Sequence, residues 1–291
     1  MNRLLSILIS LLTGLGLAAQ VADTVPVAAL PVLRPVTASY TLEAGSSHLT
    51  DTYLSPLKYD GWHTAFAYER YQAMKFSPER WTMSLTASLA LDKTDNPARN
   101  ASMYSLMVRA GWSMMRRWRP FSAVPSLTLA LGGGVGLEAG ALYNDRNGNN
   151  PASAKAALTL DLTGFASWRT RVGRLPVTLT YRPTLPLAGA FFSPDYGELY
   201  YEIWLGDHGG LAHFAWPGNY FSLDSRLTAD LHFSATSLRI GYAGRVFSSK
   251  TNDIVTNIFT HALVIGVSGD WLSLDCRKGL PRDARVIHAT Y

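Results

Sequence analysis

The sequence predicts an all-β protein: an antiparallel transmembrane β-barrel of about ten strands, with a long extracellular loop and a short periplasmic C-terminal tail. The first observation is strict alternation of apolar and polar residues, as in WTMSLTASLALD at 81–92. Successive side chains of a strand leave opposite faces, so alternation of period two is typical of strands. The second observation is that the alternating segments are long. The third is that no apolar run of about 18 residues follows the first twenty residues, so the rest of the chain contains no candidate for a membrane-spanning helix.

The first twenty residues, MNRLLSILISLLTGLGLAAQ, have the order of a secretory signal. Arg3 is followed by an apolar run over 4–17 and by small residues at Ala18 and Ala19. A single membrane anchor is the alternative, but the run is shorter than the roughly 20 residues of a helical span. The predicted organisation is a signal peptide at 1–19, a periplasmic segment at 20–33, a barrel at 34–268 and a periplasmic tail at 269–291.

The alternating segments number about ten and favour a membrane barrel over a soluble β-sandwich. Most reach about ten residues or more, near the length that crosses a bilayer at barrel tilt, whereas strands of soluble domains average five or six. Their apolar faces carry little charge, as contact with lipid requires. The segments lie near 34–43, 61–72, 81–92, 101–114, 123–142, 157–169, 176–188, 223–233, 237–247 and 254–268.

The connections between these segments alternate in length, which sets the predicted orientation. With a periplasmic start, the long connections lie outside the cell and the short ones in the periplasm, as in outer-membrane barrels. The predicted outer connections are 45–61, 93–100, 144–154, 189–222 and 249–253. Four tryptophans, which favour the bilayer interface, are expected at the periplasmic end: Trp81, Trp112, Trp168 and Trp271.

The composition limits the partners that we expect. Cys276 is the only cysteine, so the chain forms no internal disulfide. The 26 basic and 21 acidic residues are scattered rather than clustered, which argues against nucleic-acid binding. No nucleotide loop or metal-ligand spacing is found, so no cofactor is expected. The expected partners are outer-membrane lipid and either a small solute or another envelope protein.

The inward faces of the predicted strands carry twelve charges, six acidic and six basic. An unpaired charge there would be costly, so we expect mutual pairing into a network that fills the lumen. The alternative is a charged pore that filters small solutes. These residues are Glu43, Glu69, Asp92, Arg109, Glu138, Asp161, Arg169, Arg182, Arg226, Asp230, Arg239 and Arg245.

One motif raises the question of enzymatic activity. Outer-membrane phospholipases and lipid A deacylases are barrels with a Ser–His pair near the membrane surface. LHFSAT places His232 two residues before Ser234, on one strand face, but no orienting third group is evident. The sequence therefore predicts a non-enzymatic structural, binding or narrow-pore component of the envelope, with a lipid hydrolase as the alternative.

The long connection 189–222 is rich in aromatic residues, unlike a disordered loop. We predict an ordered cap on the outer mouth, with Glu202, Asp207, His208 and His213 bonding to the lumen arginines below. Sugar or lipid contact is a further interpretation, and Gly209 and Gly210 between His208 and His213 give no ligand-like spacing. The predicted cap residues are Tyr196, Tyr200, Tyr201, Glu202, Trp204, His213 and Trp216.

Three stretches resemble a known family. SPDYGELYYEIWLGD at 193–207, LRIGYAGR at 238–245 and YLSPLKYDGWHTAFAYERYQ at 53–72 resemble an uncharacterised domain family of outer-membrane barrels of Bacteroidota-type bacteria. The resemblance implies a secreted barrel. It adds no catalytic residue, because the activity of that family is itself unassigned.

Overall fold

A computed structural model of the protein describes residues 31–124, 126–206, 208–233, 236–272 and 284–290. The predicted signal peptide, Asp207, Cys276 and Ser234 lie outside the described residues. Within them, no helix is both long and apolar enough to cross a membrane.

Ten long strands form one closed antiparallel barrel. Each pairs with its neighbour in the chain, and the last pairs with the first from Thr256 opposite Asp51 to Trp271 opposite Val36. The predicted fold class is thereby confirmed. The barrel strands are β2 (Val36–Asp51), β3 (Ser55–Ala73), β4 (Trp81–Asp95), β5 (Ser102–Trp118), β6 (Leu127–Asn144), β7 (Ala152–Val172), β8 (Leu175–Phe192), β10 (Tyr220–Phe233), β11 (Thr236–Thr251) and β12 (Ile254–Trp271).

The strands are longer than the sequence predicted, and one connection was wrongly assigned. The predicted outer loop at 45–61 is mostly strand, because β2 runs to Asp51 and β3 begins at Ser55. Its alternation is hard to read because the outward face turns polar here, while apolar residues such as Leu49 and Tyr59 face inward. The chain turns at 52–54, where Leu54 donates its backbone N–H to the carbonyl of Asp51 at 3.0 Å.

The wall is least regular at β8. Its upper end, Gly189–Phe192, pairs with the short strand β9 (Ala212–Ala215), whereas its lower part, Val177–Thr184, pairs with β10. Pro183 and Pro186 interrupt the amide donors of β8. Among the described residues, no register pair joins 185–188 of β8 to 220–223 of β10.

The outward face of the barrel carries an apolar zone that water would not tolerate in a soluble protein. Leu42, Leu160, Leu263 and Ile265 are each more than half exposed on neighbouring or distant strands, together with many other large apolar side chains. Such a continuous exposed surface marks contact with lipid.

The aromatic residues of the periplasmic end agree in part with the prediction. Trp81 begins β4, Trp271 ends β12, and Trp168 lies four residues before the end of β7. Trp112 was wrongly placed, because β5 continues six residues further and ends at Trp118.

The two described ends of the chain meet at the mouth of the barrel where β2 begins and β12 ends. β1 (Val32–Leu33) pairs in parallel with β13 (Arg285–Val286). Beyond β13, Ala289 is fully buried beside Tyr71, Met115 and Phe165 at the bottom of the lumen. Of the predicted tail 269–291, the described residues 284–290 pack at this mouth and within it.

Candidate functional site: the lumen and its outer cap

The centre of the lumen is built around Glu69, a buried carboxylate that faces three arginines. Its oxygens lie 2.9 Å from Arg182 Nη2, 3.4 Å from Arg226 Nε and 2.8 Å from Arg239 Nη1. Arg239 also donates two hydrogen bonds to the carboxylate of Asp230, at 2.8 and 2.9 Å. The strand period places all five side chains on the inner face, and the closure of the sheet brings them together.

A second group holds a buried histidine between two acids. His63 Nδ1 lies 2.7 Å from Asp92 Oδ1, and His63 Nε2 lies 3.8 Å from Glu43 Oε2. Glu43 also accepts a hydrogen bond from Arg226, which links this group to Glu69. His63 was not predicted from the sequence as a lumen residue, although the alternation of β3 places it on the same face as Glu69.

The outer part of the network joins Glu138 to Arg245, whose Nη2 lies 2.5 Å from Glu138 Oε2. Asp224 lies 3.5 Å from Arg109 Nη1 and 3.6 Å from Arg245 Nε. Asp224 was also missed, though it shares the inward parity of Arg226 on β10.

Two of the predicted charges are arranged differently from the others. Asp161 accepts a hydrogen bond from Thr159 Oγ1 at 2.7 Å and lies in no ion pair among the described residues. Arg169 is exposed, three residues before the end of β7. The other ten predicted charges all take part in the ion pairs described above.

Spaces remain around these side chains. A cavity of about 140 Å³ lies among Arg109, Glu138 and Arg182, and one of about 400 Å³ lies on the periplasmic side among Tyr71, His232 and Thr290.

Above the charges, the outer end of the lumen is filled by apolar side chains. Leu49, Tyr59, Met103, Leu142 and Phe247 are each at most 3% exposed and belong to one cluster. Phe191 and Tyr220 join it, with ring centroids 5.0 Å apart. The sequence did not predict this apolar plug, because an inward apolar residue above the membrane interrupts the expected alternation.

Beside the plug, a buried aspartate joins three strands. Asp51 is fully buried and its Oδ2 lies 2.7 Å from Lys155 Nζ. It also accepts hydrogen bonds from Ser153, Thr256 and the backbone N–H of Tyr53.

The connection after β8 lies over the plug, where Tyr200 packs against the apolar cluster. It contains the short helix α1 (Tyr200–Trp204) and β9. Tyr53 donates its hydroxyl hydrogen to the carbonyl of Glu198 at 2.6 Å, and the hydroxyl of Tyr200 accepts the N–H of Ala154 at 2.6 Å. Burial raises the pKa of both tyrosines above its ordinary value.

The detailed contacts of the cap differ from the prediction. Glu202 accepts the backbone N–H of Leu199 at 2.8 Å, and His213 Nε2 lies 3.0 Å from the carbonyl oxygen of Ser193. Neither reaches a lumen arginine, because the apolar plug lies between. Four predicted cap residues are more than half exposed rather than buried: Tyr196, Tyr201, Trp204 and Trp216.

The His232–Ser234 motif gains no support as a catalytic pair. His232 faces the lumen, where its Nε2 lies 2.7 Å from Thr178 Oγ1 and its Nδ1 lies 2.6 Å from Ser237 Oγ. Both ring nitrogens are thus occupied by residues other than Ser234.

A closed ten-stranded barrel with a lipid-facing outer zone and a filled polar lumen defines the class of outer-membrane β-barrels. Within that class, the chain belongs to the family described as "Protein of unknown function (DUF3316)", whose model matches residues 4–278. The predicted membership of an uncharacterised barrel family is confirmed, and its bacterial group stays a prediction. No curated protein matches the sequence significantly.

Solved structures of similar shape are barrels of low sequence identity. The outer membrane protease OmpT from Escherichia coli is 8% identical, with a TM-score of 0.49, over 81% of this chain and 97% of that chain. The translocator domain of the autotransporter NalP from Neisseria meningitidis is 9% identical, with a TM-score of 0.38, over 93% and 94%. The COG4313 outer membrane channel from Pseudomonas putida F1 is 10% identical, with a TM-score of 0.33, over 86% and 100%.

Proposed function

We propose that this protein is an outer-membrane barrel that conducts no solute and contributes to the envelope as a structural or binding component. The observation that carries the proposal is the filling of the lumen at three successive levels. The apolar plug lies at the outer end, the ion-pair network around Glu69 in the middle, and the C-terminal residues at the periplasmic mouth.

Each level opposes conduction for a different physical reason. An ion entering the plug would lose its hydration without gaining polar partners. In the middle, the charges satisfy one another, so a passing ion would have to break pairs that are already formed. At the bottom, Arg117 donates to the carbonyl of His288 at 2.5 Å and thereby fastens the tail across the mouth.

The exposed aromatic residues of the cap favour binding as the outward role. Trp204 is 77% exposed and packs against the ring of Tyr201 at 5.9 Å between centroids. Exposed aromatic pairs on an ordered loop suit contact with a sugar, a lipid or another envelope protein. Outer-membrane location is part of this proposal, and recovery of the full-length protein in the outer-membrane fraction tests it.

Conductance across a planar bilayer tests the closed lumen. We expect no stable current steps from the wild-type barrel. The double variant Phe191→Ala and Tyr220→Ala opens the apolar plug alone, and it should still show no stable current steps because the ion-pair network around Glu69 remains below it. Phe66→Ala, which removes an outward phenyl, is the matched control. Stable steps from the wild-type protein would overturn the proposal.

A further inference from the structure

We infer that the outer face of the barrel carries a serine–histidine site that hydrolyses lipid esters, with Ser46 as nucleophile and His261 as general base. Ser46 Oγ lies 2.6 Å from His261 Nε2. The two residues lie directly opposite each other on β2 and β12, at the pair that closes the barrel. This site is distinct from the His232–Ser234 motif of the sequence.

Both side chains face lipid rather than the lumen. Ser46 shares the outward parity of Tyr40 and Leu42 on β2, and His261 shares that of Leu263 and Ile265 on β12. The serine and its base are therefore presented on the surface where membrane lipids lie.

The site lies at the upper border of the apolar zone. Towards the outside, the outward positions of β2 change from Leu42 and Ala44 to Ser46 and His48. The neighbouring strand places Trp62 directly opposite Ser46. An exposed Trp beside polar residues is typical of the interface, where the ester bonds of a lipid lie between acyl chain and headgroup.

A second pair lies beside the base on the same surface. His48 Nδ1 lies 2.6 Å from Asp60 Oδ1, and the His48 ring stacks on the His261 ring at 6.3 Å with 22° between the planes. We assign His48 as a positioning residue, since it fixes the plane of the His261 imidazole and Asp60 fixes His48.

The chemistry balances with a lipid ester and water alone. Ser46 Oγ attacks the acyl carbonyl carbon while its proton moves to His261 Nε2. The tetrahedral intermediate collapses, the ester C–O bond breaks, and the leaving alcohol takes that proton. Water, deprotonated by His261, then attacks the acyl-serine and releases the fatty acid, and the proton returns to Ser46.

The test uses the full-length barrel refolded into vesicles of phosphatidylethanolamine and phosphatidylglycerol. We expect release of free fatty acid, measured by mass spectrometry, and labelling by a long-chain sulfonyl fluoride at Ser46. Peptide mapping of the labelled wild-type chain needs no variant, so it decides the nucleophile even where a variant fails to fold.

Substitutions of the site residues test the role of each one. Ser46→Ala should abolish release and labelling, and His261→Gln should lower both by about 10²- to 10⁴-fold. His48→Ala should slow labelling, and His48→Phe should restore part of the rate because a ring again packs on His261. Ser248→Ala, an outward serine on β11, and His232→Ala are the controls and should leave release unchanged.

Two results would overturn the inference: no fatty acid release from correctly folded wild-type protein, or a label on a serine other than Ser46. Folding is checked independently by the slower or faster migration of unheated barrel on a gel. Because the site lies outside the lumen, its failure leaves the proposal of a non-conducting barrel intact, and a conducting wild type leaves the site intact.

Discussion

Glu69 is the residue whose replacement tests the lumen network most directly. Glu69→Gln keeps the shape of the side chain and removes its charge. Arg182 then loses its only ion pair among the described residues, while Arg239 keeps Asp230 and Arg226 keeps Glu43. One buried guanidinium is thus left without a carboxylate.

The expected loss of stability follows from the number of ion pairs that each arginine keeps. Removing one partner of a buried ion pair costs about 3–5 kcal/mol, because the other charge stays buried and uncompensated. The amide of Gln can still accept one hydrogen bond, so we expect a loss near the lower end, about 3 kcal/mol in the free energy of unfolding. A loss of that size changes the unfolding equilibrium by roughly two orders of magnitude.

Urea unfolding in lipid vesicles, followed by tryptophan fluorescence, measures this loss. Glu79→Gln makes the same chemical change in the Glu79–Arg285 pair, whose side chains are 56% and 62% exposed. Surface pairs contribute little, so the control should lose at most about 1 kcal/mol. If Glu69→Gln lost no more than the control, the network would not stabilise the barrel and our reasoning would be refuted.

Three further predictions concern the cap and the packing of the wall. Asp51→Asn should speed cleavage within 193–219 by an added protease at least about tenfold, because Lys155 loses its carboxylate, while Asp253→Asn in the exposed turn should not. Burial raises the pKa of the Tyr53 hydroxyl in the folded protein. The neutral hydroxyl therefore stabilises the fold fully below about pH 10, and this stabilisation is lost as the pH rises through the pKa of the folded state. Alkaline unfolding should begin at lower pH in the wild type than in Tyr53→Phe. Gly132→Ala should destabilise the barrel by about 1–3 kcal/mol in urea, since a Cβ would lie 2.0 Å from the backbone oxygen of Met114, whereas Gly148→Ala, with nothing within 4 Å, should be neutral.

The strand number and the inward charges were predictable because both depend on a period of two residues. Glu69 and Arg239 lie far apart in the chain, yet their parity alone assigns them to the lumen. The pairing partners could not be predicted, because they depend on the stagger between strands, which the sequence of one strand does not determine.

The outer surface site was missed for a related reason. Ser46 and His261 are separated by 215 positions and become neighbours only through the closing pair of strands. Residues 45–61 also read as a loop, so Ser46 and His48 were given no face at all. The apolar plug was missed because Leu49 and Tyr59 lie beyond the membrane, where the inner and outer faces exchange their usual polarity.

The irregular stretch of β8 makes the barrel wall mechanically uneven. Between 185–188 and 220–223 no ladder hydrogen bonds join β8 to β10 among the described residues, and Pro186 has no amide hydrogen to offer. A closed wall in hydrocarbon is strong because parting any two strands exposes a row of peptide groups to lipid. Between β8 and β10, part of this row of peptide groups is not paired across the two strands. Separating β8 from β10 therefore costs less free energy than separating two strands that are hydrogen-bonded along their whole length. Under tension or heating, β8 and β10 should therefore separate first, and the closing pair β2–β12 should separate last.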